Sequence, residues 1–181
     1  PGNATLSGST TLATLNRTGT GTLTLTSAAK TISTLNVSGG TLAVGTSNII
    51  ADSADLNLSA TGTFALANGL SERIDLINVS GGNLDVDGVL TMNGGTISGG
   101  SGSLSTGNLI LTAGNTLNIT NDFDFGGTLE LTSGTTLALS GGHTFNLENL
   151  SVTGDTVIDF GASSANTLNL GSLTIAAGVT I

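Results

Sequence analysis

The chain has no cysteine, no tryptophan, no tyrosine and a single proline, and only 8% of its 181 residues are charged. Each shortage excludes something. Without cysteine, stability cannot depend on disulfides. With so few charged helix formers, no amphipathic helix with a charged face can be written anywhere. No stretch reaches the roughly 18 consecutive apolar residues of a membrane-spanning helix. The cations are Arg17, Lys30 and Arg73 alone, against 12 acidic residues, for a net charge of −9. Such a surface repels phosphate backbones and anionic lipid, so neither nucleic acid nor membrane insertion is expected. The chain opens at Pro1 with no initiator methionine and no signal peptide, and is expected to be a processed form or an excised segment.

What is present is a narrow alphabet led by 31 threonines, 28 glycines and 27 leucines. Serine and glycine at this level with little charge could mean disorder, but Leu, Val and Ile recur at strand spacing and can fill a common interior. Thr34-Leu35-Asn36-Val37-Ser38-Gly39-Gly40-Thr41-Leu42-Ala43-Val44 holds two alternating segments hinged on a Gly-Gly pair. Ile77 to Val86 nearly repeats it around Gly81-Gly82, Phe123 to Leu131 around Gly126-Gly127, and Leu137 to Gly142 ends on the same pair. A strand, a corner and another strand at near-constant intervals describe one rung of a solenoid. The expected fold is therefore all-β: a right-handed parallel β-helix of about eight coils, with residues 1–181 as one domain. Coil boundaries fall at Gly21, Gly40, Gly62, Gly82, Gly102, Gly127 and Asp155. A rise of ~4.8 Å per coil makes a rod of roughly 40 Å. Leu35, Val37, Leu42, Val44, Leu84, Val86, Leu129 and Leu131 should face inward, with Asn36, Asn57, Asn118, Asn146 and Asn169 between inward pairs in ladders along the faces. A β-sandwich is the competitor, and Asn68-Gly69 and Asn93-Gly94 offer it hairpin turns. It does not require a recurring Gly-Gly corner, and the solenoid does.

The Leu-x-Val-Ser-Gly-Gly-x-Leu repeat resembles the passenger regions of autotransporter and filamentous-haemagglutinin-type adhesins. The tail, with Val157-Ile158-Asp159-Phe160-Gly161, Asn166-Thr167-Leu168, Leu173-Thr174-Ile175 and Gly178-Val179-Thr180-Ile181, is similar to the end of autotransporter-associated β-strand repeat proteins. The resemblance implies a secreted bacterial β-helix serving as a stalk, adhesin or matrix component. Those chains are usually far longer, and the 181 residues include neither a β-barrel translocator nor a sorting tail, so anchoring by either route is not expected of this form.

Candidate sites are few, and each has a plainer reading. Asp85-Val86-Asp87-Gly88 looks like a fragment of a calcium loop, because alternate carboxylates plus glycine can wrap a hard cation. The full calcium repeat is missing, so Asp85 and Asp87 read more simply as surface charge, as does Asn121-Asp122-Phe123-Asp124. No cofactor is expected. His143 is the only histidine and sits beside Gly141-Gly142, an exposed corner position rather than a catalytic one. Asp75, Asp85 and Asp87 could supply paired carboxylates for glycoside hydrolysis. The aromatic and basic lining of a sugar cleft is absent, so no enzyme is expected. Thr22-Leu23-Thr24-Leu25-Thr26 is the kind of threonine row an ice-binding face requires, but the equivalent positions drift to Ala43, Asn57, Ala65, Asp85 and Glu130. Seven Asn-x-Ser/Thr sequons, from Asn3 to Asn149, follow from composition.

The expected role is an extracellular structural or adhesive element at a cell surface, as a rod module or a self-assembling subunit. An ice-binding solenoid and a carbohydrate-binding or carbohydrate-cleaving β-helix are the alternatives. Host or matrix glycan or protein is a possible partner class. Self-association end to end is expected through Ala4 to Leu15 and Leu173 to Ile181, because neither stretch carries a capping helix, a proline or a charged loop.

Overall fold

The computed structural model describes residues 2–99, 107–162 and 165–181, which form strands, turns and loops without any helix. Five short strands stack into one parallel sheet: β1 (Ala4–Leu6), β3 (Thr22–Leu25), β5 (Thr41–Val44), β7 (Thr63–Leu66) and β9 (Asn83–Val86). The second sheet is also wholly parallel. It runs through β2 (Thr10–Arg17), β4 (Lys30–Val37), β6 (Asp55–Leu58), β8 (Ser71–Ser80) and β10 (Val89–Gly99), then β11 (Asn108–Leu111), β13 (Phe123–Leu131), β15 (Thr144–Val152) and β17 (Thr167–Ile175). From β10 a branch continues through β12 (Thr116–Ile119), β14 (Thr135–Leu139) and β16 (Thr156–Asp159).

The branch reveals the cross-section. β10 is long enough to turn a corner: Val89–Met92 pairs with β11, while Gly95–Ile97 pairs with β12. Each turn of the chain therefore visits three faces, two of them joined around a bend. Leu23 lies beside Leu42 and Phe145 beside Leu168, so one turn takes about 19 to 23 residues. The result is a parallel β-solenoid of about eight turns. Parallel pairing between consecutive turns excludes a hairpin sandwich. Asn93-Gly94 lies inside β10 rather than at a hairpin turn, and Asn68-Gly69 joins β7 of one sheet to β8 of the other, with which it does not pair.

All eight residues expected to point inward are buried, with at most 3% exposure. The reason is the period of two, which puts alternate side chains of every strand on the same side, and the stacking, which lays like over like. Phe123 and Phe145 stack in the same way, with ring centroids 5.7 Å apart.

The glycine pairs act differently from one another. Gly40 has φ 62° and Gly82 φ 77°, the left-handed geometry that a corner needs. Close approach is the second constraint: a Cβ on Gly82 would stand 2.3 Å from the Gly62 carbonyl oxygen of the turn before. Gly126-Gly127, read from the sequence as a corner, lies within β13, where the register with β15 shifts between Phe125 and Thr128. There the pair lets the strand bend, and a Cβ on Gly127 would stand 2.1 Å from Gly107 O. The coil boundary expected at Gly102 lies outside the described residues.

Leu35→Ala should destabilise the fold by ~2–5 kcal/mol, since the cavity sits in a column that cannot collapse. Asn36→Ala removes ladder hydrogen bonds at a partly exposed face, and should cost about 1 kcal/mol. Denaturant titration of the two variants measures the difference.

Candidate functional site

Outward polar residues repeat in register and bond along the axis. Asn16, Asn36, Asn57 and Asn78 form one ladder: Asn36 Nδ2 donates to Asn16 Oδ1 at 2.9 Å, Asn57 to Asn36 at 3.0 Å and Asn78 to Asn57 at 3.1 Å. A second ladder runs Asp124, Asn146, Asn169, with Asn169 Nδ2 donating to Asn146 Oδ1 at 2.7 Å. At the bend of β8 and β10, Asn93 donates to Asp75 Oδ1 at 2.6 Å and accepts from Thr112 Oγ1 at 2.7 Å and Arg73 Nη2 at 3.0 Å. Amides suit such ladders because each carries both a donor and an acceptor.

The carboxylates expected as possible ligands are dispersed. Asp85 points outward from β9, in register with Ala65, and shares with Asp87 a shallow furrow of about 150 Å³ floored by Ala43 and Ala65. Asp75 belongs to the Asn93 network on a different strand. Asp122 Oδ1 accepts from Thr144 N at 2.7 Å and stands 3.4 Å from His143 Nδ1, bracing the next turn. Asp124 is the foot of the second ladder. Among the described residues no three His, Asp or Glu side chains come together as a metal-binding group. The threonine row of β3 continues as Thr41 and Thr63 in one column, but its neighbour runs Thr24, Ala43, Ala65, Asp85.

The unexpected residues are charged and inside. Lys30 and Glu72 are 1% and 2% exposed. Their registers place them in one inward column: Thr10 lies beside Lys30, Lys30 beside Ile50, and Glu72 beside Leu90. That column passes the third turn, where the chain between β5 and β6 forms no strand on this face and makes only the single bridge at Ile50. Glu72 Oε2 accepts from Ile49 N at 2.9 Å and Ile50 N at 3.3 Å, supplying acceptors that a regular strand would have provided. Lys30 Nζ donates to Gly8 O at 2.8 Å and Thr26 O at 3.0 Å, and also to Ala28 O. Arg17 likewise follows the inward phase at the first turn, in register with Val37. Its guanidinium donates to Thr20 O and Gly21 O, both at 2.6 Å. The first turn thus carries a charged inward residue just beyond the uncharged stretch from Ala4 to Leu15. With Arg73 held by Asn93 and facing Asp52 at 4.0 Å, all three cations are engaged within the chain.

Burial pushes the Glu72 carboxyl above its usual range; hydrogen bonds from Ile49, Arg73 and Ile50 pull the other way, and the charge of Asp52 adds to the rise. No family model, no curated protein and no solved structure matches the chain.

Two outcomes follow. A group with a raised folded-state value contributes its stability below its unfolded value and loses it as pH rises through the folded value. Wild type should therefore gain stability relative to Glu72→Gln as pH is lowered from neutral toward the ordinary glutamate value of 4.5, read from paired thermal melts. Melts with calcium and with a chelator should superimpose; a shift of about ten degrees on chelation would promote Asp85 and Asp87 to ligands.

Proposed function

We propose that this chain is a non-enzymatic structural or adhesive rod of an extracellular bacterial fibre, extended by end-to-end stacking of solenoid turns. The reading draws on its resemblance to autotransporter-associated and filamentous-haemagglutinin-type repeats. One observation carries it: the core columns run uncovered to both ends. Ile32, Met92, Leu111, Leu131 and Val152 are all within 1% of full burial. In register with Ile32, Leu12 of the first turn is 39% exposed, and in register with Val152, Ile175 of the last is 44% exposed. Leu173 beside it is 48% exposed. Among the described residues β2 pairs only with β4 and β17 only with β15, so the first and last described turns each present a ladder edge. A turn stacked on either edge continues the same columns, and a head-to-tail contact that does not close builds a filament. The acidic surface with its cations engaged disfavours anionic partners.

Light scattering across a dilution series, with negative-stain microscopy, tests the stacking. Association that rises with concentration, rods longer than one molecule, and loss of both in Leu173→Lys/Ile175→Lys are expected. A monomer at every concentration, with no filaments on grids, ends the self-assembly reading.

A further inference from the structure

The chain contains two Asn-Gly dipeptides, and the fold treats them in opposite ways. Asn-Gly is the dipeptide in which the backbone nitrogen of the second residue can reach the side-chain carbonyl of the first, because glycine has no Cβ in the way. Ring closure needs an exposed asparagine, a free backbone N–H on the glycine and room to turn. Asn68 and Gly69 meet all three conditions. Both are exposed, in the turn between β7 and β8. The turn is closed by Leu70 N donating to Ala67 O at 3.2 Å, and among the described residues neither the Asn68 amide nor Gly69 N has a hydrogen-bond partner. Gly69 has φ 80°, and nothing lies within 4 Å of where its Cβ would stand.

Asn93-Gly94 has none of these freedoms. Asn93 uses its amide on Asp75, Thr112 and Arg73, and Gly94 is buried in the ladder in register with Leu76. Its side-chain carbonyl is held away from the backbone by partners on neighbouring turns.

We propose that Asn68 is a site of spontaneous deamidation, and that Asn93 is protected by the fold. Gly69 N attacks Asn68 Cγ, losing its proton as the new C–N bond forms, and the side-chain nitrogen leaves as ammonia. Water then opens the cyclic imide at either carbonyl, giving aspartate or isoaspartate. The net change is amide plus water to carboxylate plus ammonium, with no oxidant or cofactor. It takes the chain from −9 to one charge more negative. The new carboxylate stands on the rim of an open depression of about 340 Å³ that Asp87 also lines. The isoaspartyl product inserts a methylene into the backbone of a turn whose next residue, Leu70, packs against the core. This inference stands apart from the stacking reading, since it concerns one turn on the flank.

The test uses the intact protein, aged at mildly alkaline pH and digested, with mass spectrometry and isoaspartate-specific methylation as readouts. The Asn68 peptide should gain about 1 Da and split into aspartyl and isoaspartyl forms. Reaction at Asn93 first requires the ladder to open, and breaking several hydrogen bonds there should slow it at least ~100-fold relative to Asn68. In denaturant the two peptides should react at comparable rates, which shows that the fold makes the difference. Equal rates in the native protein, or an Asn68 that stays intact while its free peptide reacts, would overturn the proposal.

Discussion

The strands of this molecule depend on neighbouring turns, not on their own, for their backbone hydrogen bonds. Among the described residues no strand is paired within its own turn, so a single coil has no stability of its own. That constraint explains the sequence. Side chains must repeat in register, because a one-residue slip would turn a whole strand's leucines to solvent. Corners must also repeat, because the backbone of one turn lies against the backbone of the next. A Cβ at Gly95 would stand 1.9 Å from Ile77 O, a contact no relaxation of a side chain could relieve. Glycine here is as much a stacking residue as a turning one.

Departures from regularity are compensated locally. Between β5 and β6 the chain loops out, and the face that should hold a strand keeps only the bridge of Lys30 to Ile50. A strand's worth of N–H and C=O groups would be stranded there without substitutes. Glu72 replaces the missing acceptors for Ile49 N and Ile50 N, while Lys30 Nζ donates to Gly8 O of the turn before and to Thr26 O and Ala28 O just upstream in its own turn. Buried charges are expensive unless each is fully hydrogen-bonded, and here each meets several backbone groups of opposite polarity. The same economy operates at the Thr135–Thr156 pair, whose buried hydroxyls lie 2.7 Å apart and reach carbonyls of Thr132 and Thr135.

The solenoid and its core were legible because the period of two and the Gly-Gly corners are written many times over. Leu35, Val37, Leu84 and Val86 could be placed by counting from a corner. Lys30 and Glu72 were missed because a charged residue is read as outward by type. Their phase said otherwise: Lys30-Thr31-Ile32 and Glu72-Arg73-Ile74 each put the charge in step with a core isoleucine. Arg17, two residues after Leu15, carries the same signal. Gly126-Gly127 was misplaced for the converse reason, since the dipeptide alone cannot distinguish a left-handed corner from a bend within a strand. Which carboxylates meet was not legible at all, because faces depend on the exact length of each turn.

The distribution of charge also bears on how such a rod can associate. Its cations turn to backbone carbonyls or neighbouring side chains, while most of its acids stay on the flanks. Two rods lying side by side would therefore bring like charges together, a repulsion felt over about 10 Å at 0.1 M salt. The ends differ from the flanks. The last turn presents Leu173 and Ile175 with no cation or acid among its inward positions, and the first presents Leu12 beside Arg17. Apolar contact at an end is insensitive to screening, whereas flank repulsion fades as salt rises. Low ionic strength therefore confines attraction to the axis, whether the next turn comes from the same chain or from another. If turns stack end to end as proposed, the acidic flank would keep that growth one-dimensional.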